Sequence, residues 1–138
     1  MRILALDIGD VRIGLAVSDA LGITANPVET YVRAKNDEAK DALYIAQLAQ
    51  KLGAQRYVLG LPINMDGTEG PRVEKTRAFA QALAAVSPIP IDYQDERLTT
   101  VTAERVLIEQ GVRREKRKEV IDKVAAVIIL RAYLDRKF

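Results

Sequence analysis

The residues best suited to chemistry in this chain are acidic. Asp7 interrupts the apolar run "LALDI", Asp95 and Glu96 stand together in "QDERLTT", and Asp122 precedes the most apolar stretch in "VIDKVAAVIIL". A carboxylate set among apolar residues is costly to bury unless something pairs with it. Composition leaves these acids few competitors. The chain has no histidine and no cysteine, which excludes imidazole bases, thiolate nucleophiles and imidazole- or thiolate-ligated metals. Its two serines, Ser18 and Ser87, lie in no nucleophile motif. Hydrolysis in such a chain falls to carboxylates, and clustered carboxylates need a counter-charge: at about 4 Å two of them repel by roughly 4 kcal/mol at an effective dielectric of about 20. Oxygen-only ligands favour a hard cation, Mg²⁺ or Mn²⁺. Such ions stabilise the attacking and leaving oxygens of a phosphodiester.

Each acid also has a structural reading. Asp7 can accept backbone hydrogen bonds at a strand end, Asp95 or Glu96 can cap a helix starting near Thr99, and Asp122 can favour the positive end of its helix. A single cation site would account for all of them together.

The formal net charge of +2 says little about nucleic acid, but its distribution says more. "RREKRKE" sets Arg113, Arg114, Lys116, Arg117 and Lys118 just before the last expected helix, either as a solvated helix entrance or as a phosphate-contacting patch. Asn64, Asp66 and Thr68 follow the fourth expected strand and suit phosphate binding or an ordinary turn. Arg97 beside Glu96 suits either a role in the site or a salt bridge. The longest apolar run, Val124 to Leu130, is too short to span a bilayer, and the N-terminus reads as a strand rather than a leader. A cysteine-free chain of this kind is expected in the cytoplasm.

Several elements must position these groups. Residues 3–8 and 12–18 read as strands around a turn at Gly9 and Asp10; on the second, Gly14, Ala16 and Ser18 form a small-residue face that invites close approach. "GITANPVETYVR" supplies a third strand, interrupted near Asn26-Pro27 and at a sheet edge. A helix capped by Asn36 or Asp37 buries Ala42, Ile45, Leu48, Ala49 and Leu52 and ends at Gly53. Tyr57 to Leu61 is a buried strand, Pro71 opens a second helix, "IPIDYQ" makes a fifth strand, and helices over 99–110 and 116–136 finish the chain. The order β-β-β-α-β-α-β-α-α gives an α/β fold: an antiparallel meander extended by two parallel strands through helical crossovers. Such sheets bind ligands beyond the carboxyl ends of their parallel strands, where Asp7 and the Asp95-Glu96 pair lie.

The chain resembles the YqgF family, Holliday-junction resolvase-like proteins that include pre-ribosomal-RNA nucleases. The resemblance spans residues 1–138 and rests on "LDIGDVRIGLAVSD", "GLPINMDGTEG", "DERLTT" and "IDKVAAVIILRAYLD", in that order. It implies a single RNase H-like nuclease domain with a mixed five-stranded sheet, in which Asp7, Glu96 and Asp122 are the catalytic, metal-binding acids. Strand parity leaves Asp95 and Glu96 open; the resemblance assigns Glu96. Arg12 matches a family position, whereas Val11 stands where a basic residue is common.

The function implied is metal-dependent hydrolysis of nucleic-acid phosphodiesters, in maturation of the small-subunit ribosomal RNA precursor or in cleavage of branched DNA. Two other readings compete: a non-catalytic nucleic-acid-binding protein that kept the fold, and a nucleotide binder using "DIGDVRIG" as a phosphate loop. The latter needs two related domains, more than 138 residues supply.

Overall fold

The computed structural model describes residues 1–97, 108, 111 and 113–137, of which 115, 117–123 and 137 are described by their backbone alone. Its elements are β1 (Ile3–Ile8), β2 (Arg12–Ser18), β3 (Ala25–Val32), α1 (Glu38–Leu52), β4 (Arg56–Leu61), α2 (Pro71–Val86), β5 (Ile91–Asp95) and α3 (Arg114–Lys137). Apart from Ile108, the helix expected over 99–110 lies outside the described residues. One sheet holds all five strands in the order β3-β2-β1-β4-β5. β1, β2 and β3 pair antiparallel, and β4 and β5 extend the sheet parallel to β1.

Alternation along β1 divides the core between two faces. Leu4, Leu6 and Ile8 pack with Ile13, Leu15, Ile45, Phe79 and Leu83 beneath α1 and α2. Ile3 and Ala5 point the other way, toward Val58 of β4 and Ala126, Ile129, Leu130 and Tyr133 of α3. Each large apolar side chain so buried contributes about 1.5–3 kcal/mol. The small-residue face of β2 is where α3 comes in: a Cβ at Gly14 would lie 3.8 Å from that of Ala126. Among the described residues, no helix is long and apolar enough to cross a membrane.

Three boundaries differ from the sequence-based expectation, and of the two expected caps of α1 one is selected. β3 is not interrupted at Asn26-Pro27. It runs through Pro27 because it is an edge strand, and the register slips there: Ala16 faces Pro27 and Leu15 faces Glu29, leaving Val28 as an extra residue. β5 starts at Ile91 rather than Ile89, after the Pro90 carbonyl has accepted from the Tyr57 N–H at 2.9 Å. Asp37, not Asn36, caps α1, its carboxylate accepting from the Lys40 N–H at 3.0 Å. α3 begins at Arg114, so the basic run after Arg113 occupies its first turns instead of preceding it.

Candidate active site

Asp7 lies near the carboxyl end of β1 on the face that receives α3: it pairs with Gly14, and its Cβ is 3.7 Å from where a Gly14 Cβ would stand. β1 and β4 run side by side with Leu6 opposite Leu59, so Asp7 and Gly60 follow as neighbours across the sheet. Glu96 completes the arrangement from the end of β5. Its N–H donates to the Leu61 carbonyl at 3.1 Å, carrying the parallel pairing with β4 one residue past Asp95. Its carboxyl carbon then sits 2.8 Å from the place a Cβ would take at Gly60, and Ile129 of α3 crowds the same spot. A side chain at position 60 would make the ends of Ile129 and Glu96 shift from where they stand.

The electrostatics follow from that geometry. Burial, then the nearby negative charge of Asp7, lift the Glu96 carboxyl from 4.5 to about 7, with Arg72 opposing and Asp95 adding to the rise. Asp95 goes the other way. Burial raises it, but hydrogen bonds from the Arg97 side chain and N–H, and the Arg97 charge, hold it below the usual carboxylate range. The pair is tight, with Arg97 Nη2 2.7 Å and Nε 2.8 Å from Asp95 Oδ2, and the Arg97 N–H 2.9 Å from Oδ1. Of the adjacent acids, Asp95 is thus neutralised by its own arginine, while Glu96 is left against Asp7. Two carboxyl groups held in this way share a proton or attract a cation, and an all-oxygen set suits Mg²⁺ or Mn²⁺.

The third expected acid belongs to α3. That helix runs against the direction of β4: Ile129 lies over Gly60 near the strand's end, while the Tyr133 hydroxyl accepts from Arg56 at its start, 2.9 Å away. The helical turn carrying position 122 precedes Ala126 and so lies toward the carboxyl ends of β1 and β4. The side chains of Asp122, Arg117 and Lys118 lie outside the described residues. Among the described residues, no three metal-ligating side chains come together.

Arg12 opens β2 opposite Val32 and is exposed. Arg113 and Arg114 are exposed at the start of α3. Asn64 closes its own loop, its amide donating to Thr68 Oγ1 at 3.0 Å and its carbonyl accepting from the Gly67 N–H at 2.8 Å. Asp66 caps the same turn through the Thr68 N–H. Arg97 is in the salt bridge with Asp95 described above. Arg72, whose charge opposes the rise at Glu96, was missed from the sequence. Pro71 was the available signal, since proline at the first helical position sets residue 72 in the turn facing the strand ends.

The family model described as "RuvX: Holliday junction resolvase" matches residues 1–136. Curated relatives from Streptococcus thermophilus (49% identical over 141 residues) and Streptococcus sanguinis (47% over 139) carry the name "Putative pre-16S rRNA nuclease", and each alignment covers 100% of both chains. Among solved structures, the chain is similar to Thermus thermophilus RuvC in complex with a Holliday junction substrate, with TM-score 0.59 and 13% identity over 99% of this chain and 96% of that one. The fowlpox virus Holliday junction resolvase matches with TM-score 0.56 and 16% identity, over 99% of both chains. At these identities the likeness shows the fold, which is RNase H-like.

Proposed function

The chain belongs to the RuvX family, and on that footing we propose that it is a nuclease that hydrolyses nucleic-acid phosphodiesters with a divalent cation, acting on the precursor of 16S ribosomal RNA. The observation that carries the reading is the Asp7–Glu96 pair at the carboxyl ends of β1 and β5, with Glu96 lifted to about 7. Asp7, Glu96 and Asp122 would hold Mg²⁺ or Mn²⁺, a choice supported by an oxygen-only donor set in a chain without histidine or cysteine. When bound, such a cation activates water and neutralises charge on the scissile phosphate. The protein's own part is positional. β1 and β5 bring their acids to one end of the sheet on either side of β4, Gly60 leaves room for the Glu96 carboxyl, and Arg97 engages Asp95.

Arg12, Arg113, Arg114, Arg117 and Lys118 contact substrate phosphates in this reading, with Asn64 shaping the cleft. Support comes from the placement of the basic run in the first turns of α3, where cations oppose the helix dipole and gain from an anionic partner. The family description favours a second substrate, the four-way DNA junction. Both substrates call for a site in the cytoplasm, where ribosomal RNA matures and the chromosome recombines in bacteria.

The test is cleavage of end-labelled pre-16S RNA and of a four-way DNA junction in Mg²⁺, in Mn²⁺ and in chelator. Asp7→Asn, Glu96→Gln and Asp122→Asn are expected to abolish cleavage while folding persists, and Asp95→Asn to lose less. Full cleavage by Asp7→Asn in Mg²⁺ would refute the assignment.

A further inference from the structure

We propose that Arg33, held by the buried carboxylate of Asp41, is a positioning residue for the catalytic strand: it fixes the turn between β1 and β2 and through it the placement of Asp7. The inference rests on Asp7 being catalytic, as read above.

Asp41 lies in the first turn of α1 and is fully buried. Its Oδ1 accepts from the Tyr31 hydroxyl and from the Ala34 N–H, each at 2.9 Å, and its Oδ2 accepts from Arg33 Nε at 2.9 Å. Those bonds secure the corner where β3 passes into α1. Arg33 alone reaches further. Its Nη1 donates to the Gly9 carbonyl at 2.8 Å, and its backbone N–H donates to the Val11 carbonyl at 2.9 Å. Nη2 faces Glu38 at 3.6 Å, and the guanidinium lies over the Phe79 ring at 5.4 Å. The arginine is thus fixed on its own side by ion pairs and an aromatic face, and presents its remaining arm to the turn.

Apart from its own closing bond, the Gly9 N–H donating to the Arg12 carbonyl at 2.9 Å, that turn has weak outside support. Asp10, Val11 and Arg12 are exposed, and the Asp10–Lys75 ion pair joins two exposed side chains, which contributes little. Gly9 is boxed in from within, since a Cβ there would meet the Arg12 carbonyl oxygen at 2.8 Å. A buried ion pair is a poor way to gain stability, because desolvation offsets most of the attraction and an apolar pair of similar volume would hold α1 as well. What an apolar pair cannot do is grip the carbonyl of Gly9, two residues beyond Asp7. Misplacing a reacting group by about 1 Å can cost 10²-fold in rate, so a fixed turn matters more to turnover than to folding.

The experiment compares Arg33→Lys, Asp41→Asn, Tyr31→Phe and Asp7→Asn with the unaltered chain. It uses steady-state cleavage of a short end-labelled single-stranded RNA in Mg²⁺, thermal melts, and amide exchange at Gly9, whose N–H donates to the Arg12 carbonyl within the turn. Lysine keeps the charge but cannot pair with Asp41 and reach Gly9 together. Asparagine keeps the Oδ1 acceptor but turns an N–H toward Arg33 Nε. Both should lower kcat by roughly tenfold or more with KM within about twofold, and both should speed exchange in the turn. Tyr31→Phe strips a bond from the same carboxylate without touching the turn; it should lose stability yet keep kcat and the exchange rates. A kcat that simply follows the melting temperature across these variants would overturn the inference, as would unchanged turn exchange in Arg33→Lys. If Asp7→Asn is inactive while Arg33→Lys cleaves normally, the positioning role alone falls; if Asp7→Asn still cleaves, the catalytic assignment falls with it.

Discussion

Replacing Glu96 by Gln isolates the electrostatic strain of the site without requiring any substrate. In the folded, metal-free chain the Glu96 carboxyl titrates near 7 against an ordinary 4.5. A carboxyl raised on folding leaves stability intact below the ordinary value, and that stability is lost as pH climbs through the raised one. Worked from these two values, the penalty grows from about 1 kcal/mol at pH 5 to about 3 kcal/mol at pH 7.5, a loss of roughly 2 kcal/mol. Partial exposure screens the effect, so this is a ceiling. For a chain of 138 residues it amounts to a fall of roughly 7 °C in Tm. The chain has no histidine, and among the described residues Asp10, Asp19, Asp41, Asp66 and Asp95, held below the usual range, affect stability only at lower pH. The assay is calorimetry in chelator at both pH values on the unaltered chain and on Glu96→Gln. The unaltered chain should melt lower at pH 7.5 than at pH 5, the variant should not share that fall, and Mg²⁺ should restore the unaltered chain at pH 7.5. Parallel pH profiles for the two proteins would refute the reasoning, because Glu96 would then titrate like an exposed carboxyl.

Gly60→Ala should push the Glu96 carboxyl aside, lowering cleavage at least tenfold at a stability cost of about 1–3 kcal/mol, the range for overpacking; kinetics and melts on one preparation read both. Replacing Arg113, Arg114, Arg117 and Lys118 with Gln should weaken binding to single-stranded RNA alike across sequences, each lost phosphate contact flattening the log-log salt dependence by roughly 0.7. An unchanged slope in a salt titration would return the run to a solvated helix face.

The strands nearest the site were legible because their patterning is local. Period-two alternation marked β1 and β2, and the small residues Gly14, Ala16 and Ser18 announced the close approach of another element, which is α3, with Ala126 against Gly14. Choosing between Asp95 and Glu96 was beyond that method, since both stand where the strand stops. What separates them is a hydrogen bond to Leu61 on one side and a private arginine on the other. Arg33 and Asp41 were illegible for a related reason. An arginine closing an edge strand and an aspartate in a helix's first turn are both ordinary surface residues by position. Only the packing of α1 against β3 buries one and holds the other. β3 and its edge position were legible, but the break expected at Asn26-Pro27 does not occur, because proline is tolerable on an edge where no further strand needs its N–H.

That same strand bears on how the chain behaves when crowded by copies of itself. β3 forms one margin of the sheet, and an open margin can template the addition of another strand, the route to aggregation and fibrils. Here the outer row of donors has a gap at Pro27, and the surplus residue at Val28 throws the remaining groups out of step. An incoming strand would meet a broken ladder. The irregularity at Asn26-Pro27 is thus also a safeguard for solubility at the margin of a five-stranded sheet.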